Sequence, residues 1–264
     1  MKANTLTNAI RNTLPFFLLA LHKLCIANDV TTLPDRIIPC TLEAFQRGRS
    51  GFIDIPFESG VPFIAEAHHR NENLVDNKLQ PEPEYVSKIY RDSMGRIREE
   101  TLDANGSVKH VNLLDPIAGS RYSLDGLGQT GFIMSLKVKS TDTKTPISEA
   151  KLPPEAQFLC RSLGTRQFDG ISADGESVQL TVRDPENHQL VFEFVTESWY
   201  SPALKVQIFG SIRNMKSGNF YKKLTHIESK EAAPTLFQPR VGGKIWDAPF
   251  NSKNIGDSPA YIAP

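Results

Sequence analysis

The sequence predicts a mostly-β protein built from antiparallel meanders. Short runs rich in β-branched and aromatic residues recur along the chain, and turn-forming residues separate them. No heptad, fixed-period repeat or long amphipathic helical pattern competes with them. At 264 residues the chain is long enough to bury a core as one large domain or two small ones.

The strand runs follow in order. "VPFIAEAHH" (61–69) precedes the Pro-rich break "LQPEPE". "YVSKIYR" and "RIREETL" flank "DSMG", a hairpin turn that Asp92 opens and Gly95 closes at positive φ. "DANGS" holds an Asn-Gly pair suited to a tight hairpin, and "VKHVNLL" follows it. "DPIAG" leads into "RYSL", with Pro116 presetting the turn and Gly119 free to take positive φ. A polar segment with three prolines, 139–155, reads as a linker or long surface loop. Strands resume with "FLCRSLGTRQF", "SVQLTVR", "QLVFEFVTESWY", "LKVQIFGSIR" and "FYKKLTHIES". The one helix candidate beyond the leader is "TLEAFQRGR" (41–49).

The N-terminus has Lys2 and Arg11, no acid before Asp29, an apolar run from Leu14 to Leu21, and the small-residue site "CIA". That is the layout of a secretory signal peptide ending at residue 27. An uncleaved anchor, a buried amphipathic helix and a lipoprotein signal are the rival readings. The expected organisation is therefore a signal peptide over 1–27, an extension over 28–59, an antiparallel domain over 60–240 and an irregular tail over 241–264. The mature chain keeps Cys40 and Cys160, which either pair as a disulfide or stay as two buried thiols. Export places the protein in the periplasm or outside the cell, with no transmembrane span in the mature chain.

Lys plus Arg is 30 and Asp plus Glu is 30. A nucleic-acid binder carries a basic excess, so no nucleic-acid partner is expected. In "RIREE" Arg96, Arg98 and Glu100 fall on one face of a strand, where they can pair with charges on neighbouring strands, which reads as a solvated or edge-protected strand. "GLGQTG" (126–131) matches the dinucleotide-binding glycine pattern. No strand-then-helix context surrounds it, so it reads as an inter-strand turn. His68 and His69 are adjacent and would point to opposite faces of a strand, and neither His188 nor His226 has a neighbour at metal-ligand spacing. Asp92, Glu99, Glu100 and Asp115 are the only candidates for a catalytic carboxylate pair, and Asp92 and Asp115 read as turn caps. No enzyme activity, cofactor or metal is expected.

With these segments read, the chain resembles a family of exported bacterial proteins to which no activity is assigned. The resemblance rests on "KIYRDSMGRIREE", "NLLDPIAGSRYSLD", "LGTRQFDGISADG", "VTESWYSPALKV" and "YKKLTHIESKEAAPTLFQP", and covers about residues 60–240. A more distant resemblance is to the periplasmic lipoprotein-carrier superfamily, the LolA-like and RseB-like domains. It implies a curved antiparallel sheet, an open half-barrel with few short helices, whose concave face holds acyl chains or lipidated peptides. The lid helices of that superfamily have no counterpart here.

The expected function is a non-catalytic binding domain for a hydrophobic ligand, a lipid or a lipoprotein segment. Tyr122, Phe192, Phe194 and Trp199, large residues on strand runs, are the expected lining, with burial in the core as the alternative for each. The alternative function is an envelope protein-interaction or stress-sensor module that binds a partner strand at a sheet edge.

Overall fold

The computed structural model describes residues 36–39, 59, 61–135, 155–240 and 242–247. The helix candidate at 41–49, most of the polar segment at 139–155 and the leader lie outside them. Among the described residues fourteen strands form one sheet. They are β1 (Arg36–Ile38), β2 (Phe63–Val75), β3 (Lys78–Pro81), β4 (Tyr85–Arg91), β5 (Ile97–Leu102), β6 (Val108–Asp115) and β7 (Ser120–Asp125), then β8 (Thr130–Ser135), β9 (Ala156–Phe168), β10 (Ile171–Arg183), β11 (Leu190–Ser201), β12 (Val206–Asn214), β13 (Gly218–Glu228) and β14 (Lys244–Asp247).

Two antiparallel meanders make the sheet. One runs β2-β4-β5-β6-β7-β8, with β3 folded back on β2; the other runs β9 to β13. They join where β13 pairs with β2, with Leu224 opposite Ala67. The sheet does not close: β1 and β14 are its outer strands. It is curved and open, as the resemblance implies. The curvature shows at Arg91 on β4, whose guanidinium donates to the Lys205 carbonyl at 2.9 Å. Lys205 lies in the turn before β12, three strands away in pairing order, about 14 Å across a flat sheet. The sheet coils toward this inner face and the β11–β12 turn folds over it.

Aspartates set the hairpin turns of the first meander. Asp92 Oδ1 accepts from the Met94 and Arg96 amides, at 3.1 and 2.8 Å, and Gly95 takes φ of 82°. Asp103 and Asp115 accept from the amides that follow them in the same way, and Asp125 does so in the "GLGQTG" segment, which is the β7–β8 turn. A short carboxylate two to four residues before an amide mimics a backbone turn, which is why the turns are legible in the sequence.

The inner face carries the main core: Phe63, Ala65 and Ala67 of β2, Ile89, Ile97 and Leu224 among others. Extra residues in β9 (Leu163, opposite Gly175/Glu176) and in β12 (Ile208, opposite Trp199/Tyr200) bulge those strands and break the alternation. Trp199 lies over Gly175, where a Cβ would sit 2.6 Å from its ring, and packs on Phe168. Val111, Leu113 and Leu124 form a second cluster on the outer face of β6 and β7. A short 3-10 turn (Pro234–Phe237) packs against β5 and β6 there.

Two expectations are corrected. The charged strand "RIREE" is neither solvated nor at an edge, because β5 pairs with β4 on one side and β6 on the other. Glu99 and Glu100 are both buried, and Arg98 bonds Glu100 at 2.7 Å and the Leu236 carbonyl at 3.0 Å. Truncating Arg98 to alanine therefore leaves the buried Glu100 carboxylate with the Tyr90 hydroxyl at 3.4 Å in place of a countercharge and takes the donor from the Leu236 carbonyl. Urea denaturation should show a loss of about 2–3 kcal/mol rather than the tenths typical of a surface pair. The tail is also not wholly irregular. "KIWD" forms β14, parallel to β8, with Trp246 opposite Phe132.

Candidate functional site

Pairing register arranges the inner face of the first meander in rows. One row runs Ala65–Ile89–Glu99–Asn112–Ser123–Phe132–Trp246 across β2, β4, β5, β6, β7, β8 and β14. Paired residues share a face, so this single row reports how the face meets solvent. It begins sealed, with Ile89 2% exposed, and ends open, with Phe132 48% and Trp246 49% exposed. The two aromatic rings lie 6.0 Å apart. The face that makes the core thus runs on, beyond β7, into an apolar surface.

A polar cluster interrupts it. Lys222 of β13 lies 3.3 Å from Glu99 Oε1, and Ser87 Oγ donates to the same oxygen at 3.0 Å. His69 Nε2 is 2.6 Å from Ser87 Oγ, and its ring stacks on Tyr85 at 4.3 Å. Since Ser87 has one proton and gives it to the carboxylate, His69 must donate Nε2–H and leave Nδ1 as an acceptor.

Burial pulls Lys222 down to about 8, against the attraction of Glu99. Burial alone would push Glu99 up; Lys222, Ser87 and His69 outweigh it and hold the carboxyl below its ordinary value. Burial and the Lys222 charge bring His69 down to about 4, so at neutral pH it is an uncharged hydrogen-bond donor.

As pH falls from 6.5, the ordinary value, toward 4, the unfolded chain takes up the His69 proton before the folded one does. Stability should therefore drop by about 3 kcal/mol over that window, with no further loss from His69 below it. In urea melts against pH, His69→Phe, which keeps an aromatic ring on Tyr85, should lose this slope between 6.5 and 4.5.

The order His69–Ser87–Glu99 differs from a nucleophile–base–acid relay. Ser87 is fully buried and its proton goes to Glu99, so nothing here activates its oxygen. The four candidate catalytic acids do not form a facing pair: Asp92 and Asp115 cap turns, and Glu99 and Glu100 are consecutive and take opposite faces. His68 and His69 take opposite faces of β2, His68 exposed and His69 in the cluster.

The residues expected to line a ligand site are not brought together. Phe194 sits opposite Leu180 and Phe192 opposite Val182, on the second meander. Trp199 is in the main core. Tyr122 is on the outer face of β7, opposite Leu113 and Ile133. Sequence reasoning does not bring Phe132 to Trp246 or Glu99 to Lys222, because each proximity comes from pairings between distant segments. The alternation in "TGFIMS" and the aromatic in "KIWD" are the signals that could have found the first two.

No family model matches the chain. No curated protein is significantly similar to it. Among solved structures, an uncharacterized conserved protein from Thermus thermophilus is similar over 78% of this chain and 98% of its own, at 12% identity and a TM-score of 0.41. A chain of the MucA/MucB complex of Pseudomonas aeruginosa is similar over 75% of this chain and 60% of its own, at 14% identity and a TM-score of 0.39. A Vibrio parahaemolyticus domain described as outer membrane lipoprotein-sorting is similar over 75% and 96%, at 9% identity and a TM-score of 0.28. The RseB-like and LolA-like structures of the sequence resemblance are thus both among the similar ones. At these TM-scores the likeness is loose, and it transfers no ligand or partner.

Proposed function

We propose that the protein is an exported, non-catalytic binding domain that holds a hydrophobic ligand, a lipid or a lipoprotein segment, on the inner face of its sheet. The observation behind this reading is the row that leaves the sealed core and ends at half-exposed Phe132 and Trp246. Exposed aromatics continuous with a core face mark a surface meant to be covered. Phe192 and Phe194 would extend the apolar surface on the second meander, with Trp199 supporting it from the core and Tyr122 from the outer face.

Export is supported by the leader-like N-terminus and by Cys160, which is disulfide-bonded. Its proposed partner is Cys40, outside the described residues. Ile38, two positions before Cys40 in sequence, stands opposite Cys160. Non-reducing peptide mapping should recover a peptide joining 40 to 160; a link to Cys25 would refute the pairing.

The chain has two tryptophans, and only Trp246 is exposed. Titration with oleyl alcohol should blue-shift its emission, and Phe132→Ala with Trp246→Ala should weaken binding at least about tenfold, as followed by native mass spectrometry. If the protein from the envelope fraction carries no lipid and no long-chain amphiphile shifts the emission, the reading fails. The alternative, a partner strand at a sheet edge, has one observation in its favour: among the described residues β1 pairs with three of the thirteen residues of β9. Binding in that mode would leave Trp246 emission unchanged.

A further inference from the structure

Arg121 is the exception among the arginines of the first meander's β4–β7 strands. Arg91 donates to backbone carbonyls, Arg96 pairs with Asp92 and Arg98 with Glu100. Arg121 has no acceptor among the described residues, and its Nε is sealed from solvent. A buried donor without a partner costs about 1–3 kcal/mol, and native proteins rarely leave one so.

Its position says what is missing. Arg121 pairs with Leu114 on one side and Met134 on the other, so it shares the inner face with them. Phe132 is two residues before Met134 on β8 and so on the same face, about 7 Å along the strand. The nearest inner-face acid by register is Glu99, in the next row and two strands away, and Lys222 already balances it. Ser120 Oγ is also sealed and unpartnered, but alternation turns it to the other face. The inner face therefore offers an unmet guanidinium beside an exposed aromatic pair.

We infer that Arg121 binds the anionic group, a carboxylate or a phosphate, of an amphiphile whose apolar part lies on Phe132 and Trp246. Nε is sealed by the protein's own atoms, so the anion is held through the two Nη groups, and such charge-assisted bonds strengthen where water is excluded. The inference rests on the reading of the inner face as a ligand surface and adds the charge of the ligand's head.

The test compares oleate, oleyl phosphate, oleyl alcohol and inorganic phosphate on the full mature chain, read by Trp246 emission and native mass spectrometry. The wild-type protein should bind the two anions at least about tenfold more tightly than the alcohol, a difference of about 1.4 kcal/mol. Arg121→Gln should erase that preference and leave alcohol binding unchanged; Arg121→Lys, which keeps the charge without the fork, should retain part of it. Equal affinity for acid and alcohol in the wild type would overturn the role of Arg121 and leave the ligand surface standing. Inorganic phosphate binding as tightly as oleyl phosphate would overturn the amphiphile. Failure of every long-chain compound to bind would overturn both proposals. The wild-type comparison needs no variant, so it decides the matter even if Arg121→Gln folds poorly.

Discussion

Replacing Arg91 with alanine should destabilise the protein by about 3–5 kcal/mol in urea denaturation, one of the two largest effects expected of a single substitution on the inner face. The side chain is 1% exposed. Its Nε and Nη2 donate to the Val61 carbonyl at 3.1 and 2.7 Å, its Nη1 to Lys205, and its Nη2 also to Leu204. The guanidinium lies 4.6 Å over the Phe63 ring. Truncation removes the donors of three carbonyls at once, the Leu204 one buried, and leaves a cavity beneath Phe63. It also unfastens the β11–β12 turn from β4, so the two meanders lose their clasp across the inner face. Arg91→Lys should recover only part of the loss, since one ammonium cannot span carbonyls from two segments. A loss below about 1 kcal/mol for alanine would mean that the turn holds to the inner face without this clasp.

The second large effect is expected at the ion pair. Lys222→Met leaves Glu99 buried with Ser87 but without its countercharge, and removing one partner of a buried pair costs about 3–5 kcal/mol. Glu99→Leu combined with Lys222→Met should recover most of that loss, because two apolar side chains can replace a buried pair at little cost. The single variant should also change with pH in a specific direction. Without Lys222 the folded-state Glu99 carboxyl rises above its unfolded value. Its protonated form then favours the folded state, so the deficit of Lys222→Met should shrink as pH is lowered through that raised value. A deficit constant between pH 7 and pH 4 would show that Glu99 had found another partner.

The turn chemistry explains why much of the fold is legible. Asp92, Asp103, Asp115 and Asp125 each lie within a few residues of the amides they cap, and Gly95 adopts positive φ within the same local loop. Such interactions belong to a segment of four or five residues, so they can be read before any long-range contact is known. The alternation in "VPFIAEAHH" is of the same kind, with Phe63, Ala65 and Ala67 facing the core.

The site is not legible for the opposite reason. Glu99 and Lys222 are 123 residues apart in sequence and meet because β13 pairs with β2, which pairs with β4, which pairs with β5. Phe132 and Trp246 meet through a parallel pairing between β8 and β14. The charges of "RIREE" have the pattern of a solvated strand, and only the strands on either side of β5 bury them. Strands, hairpin turns and the alternation of faces can be read from the chain, since each follows from residues a few positions apart. Which faces are covered, which charges are desolvated and where Arg121 is left without an acceptor depend on the order in which distant strands pair, and only the folded sheet fixes that order.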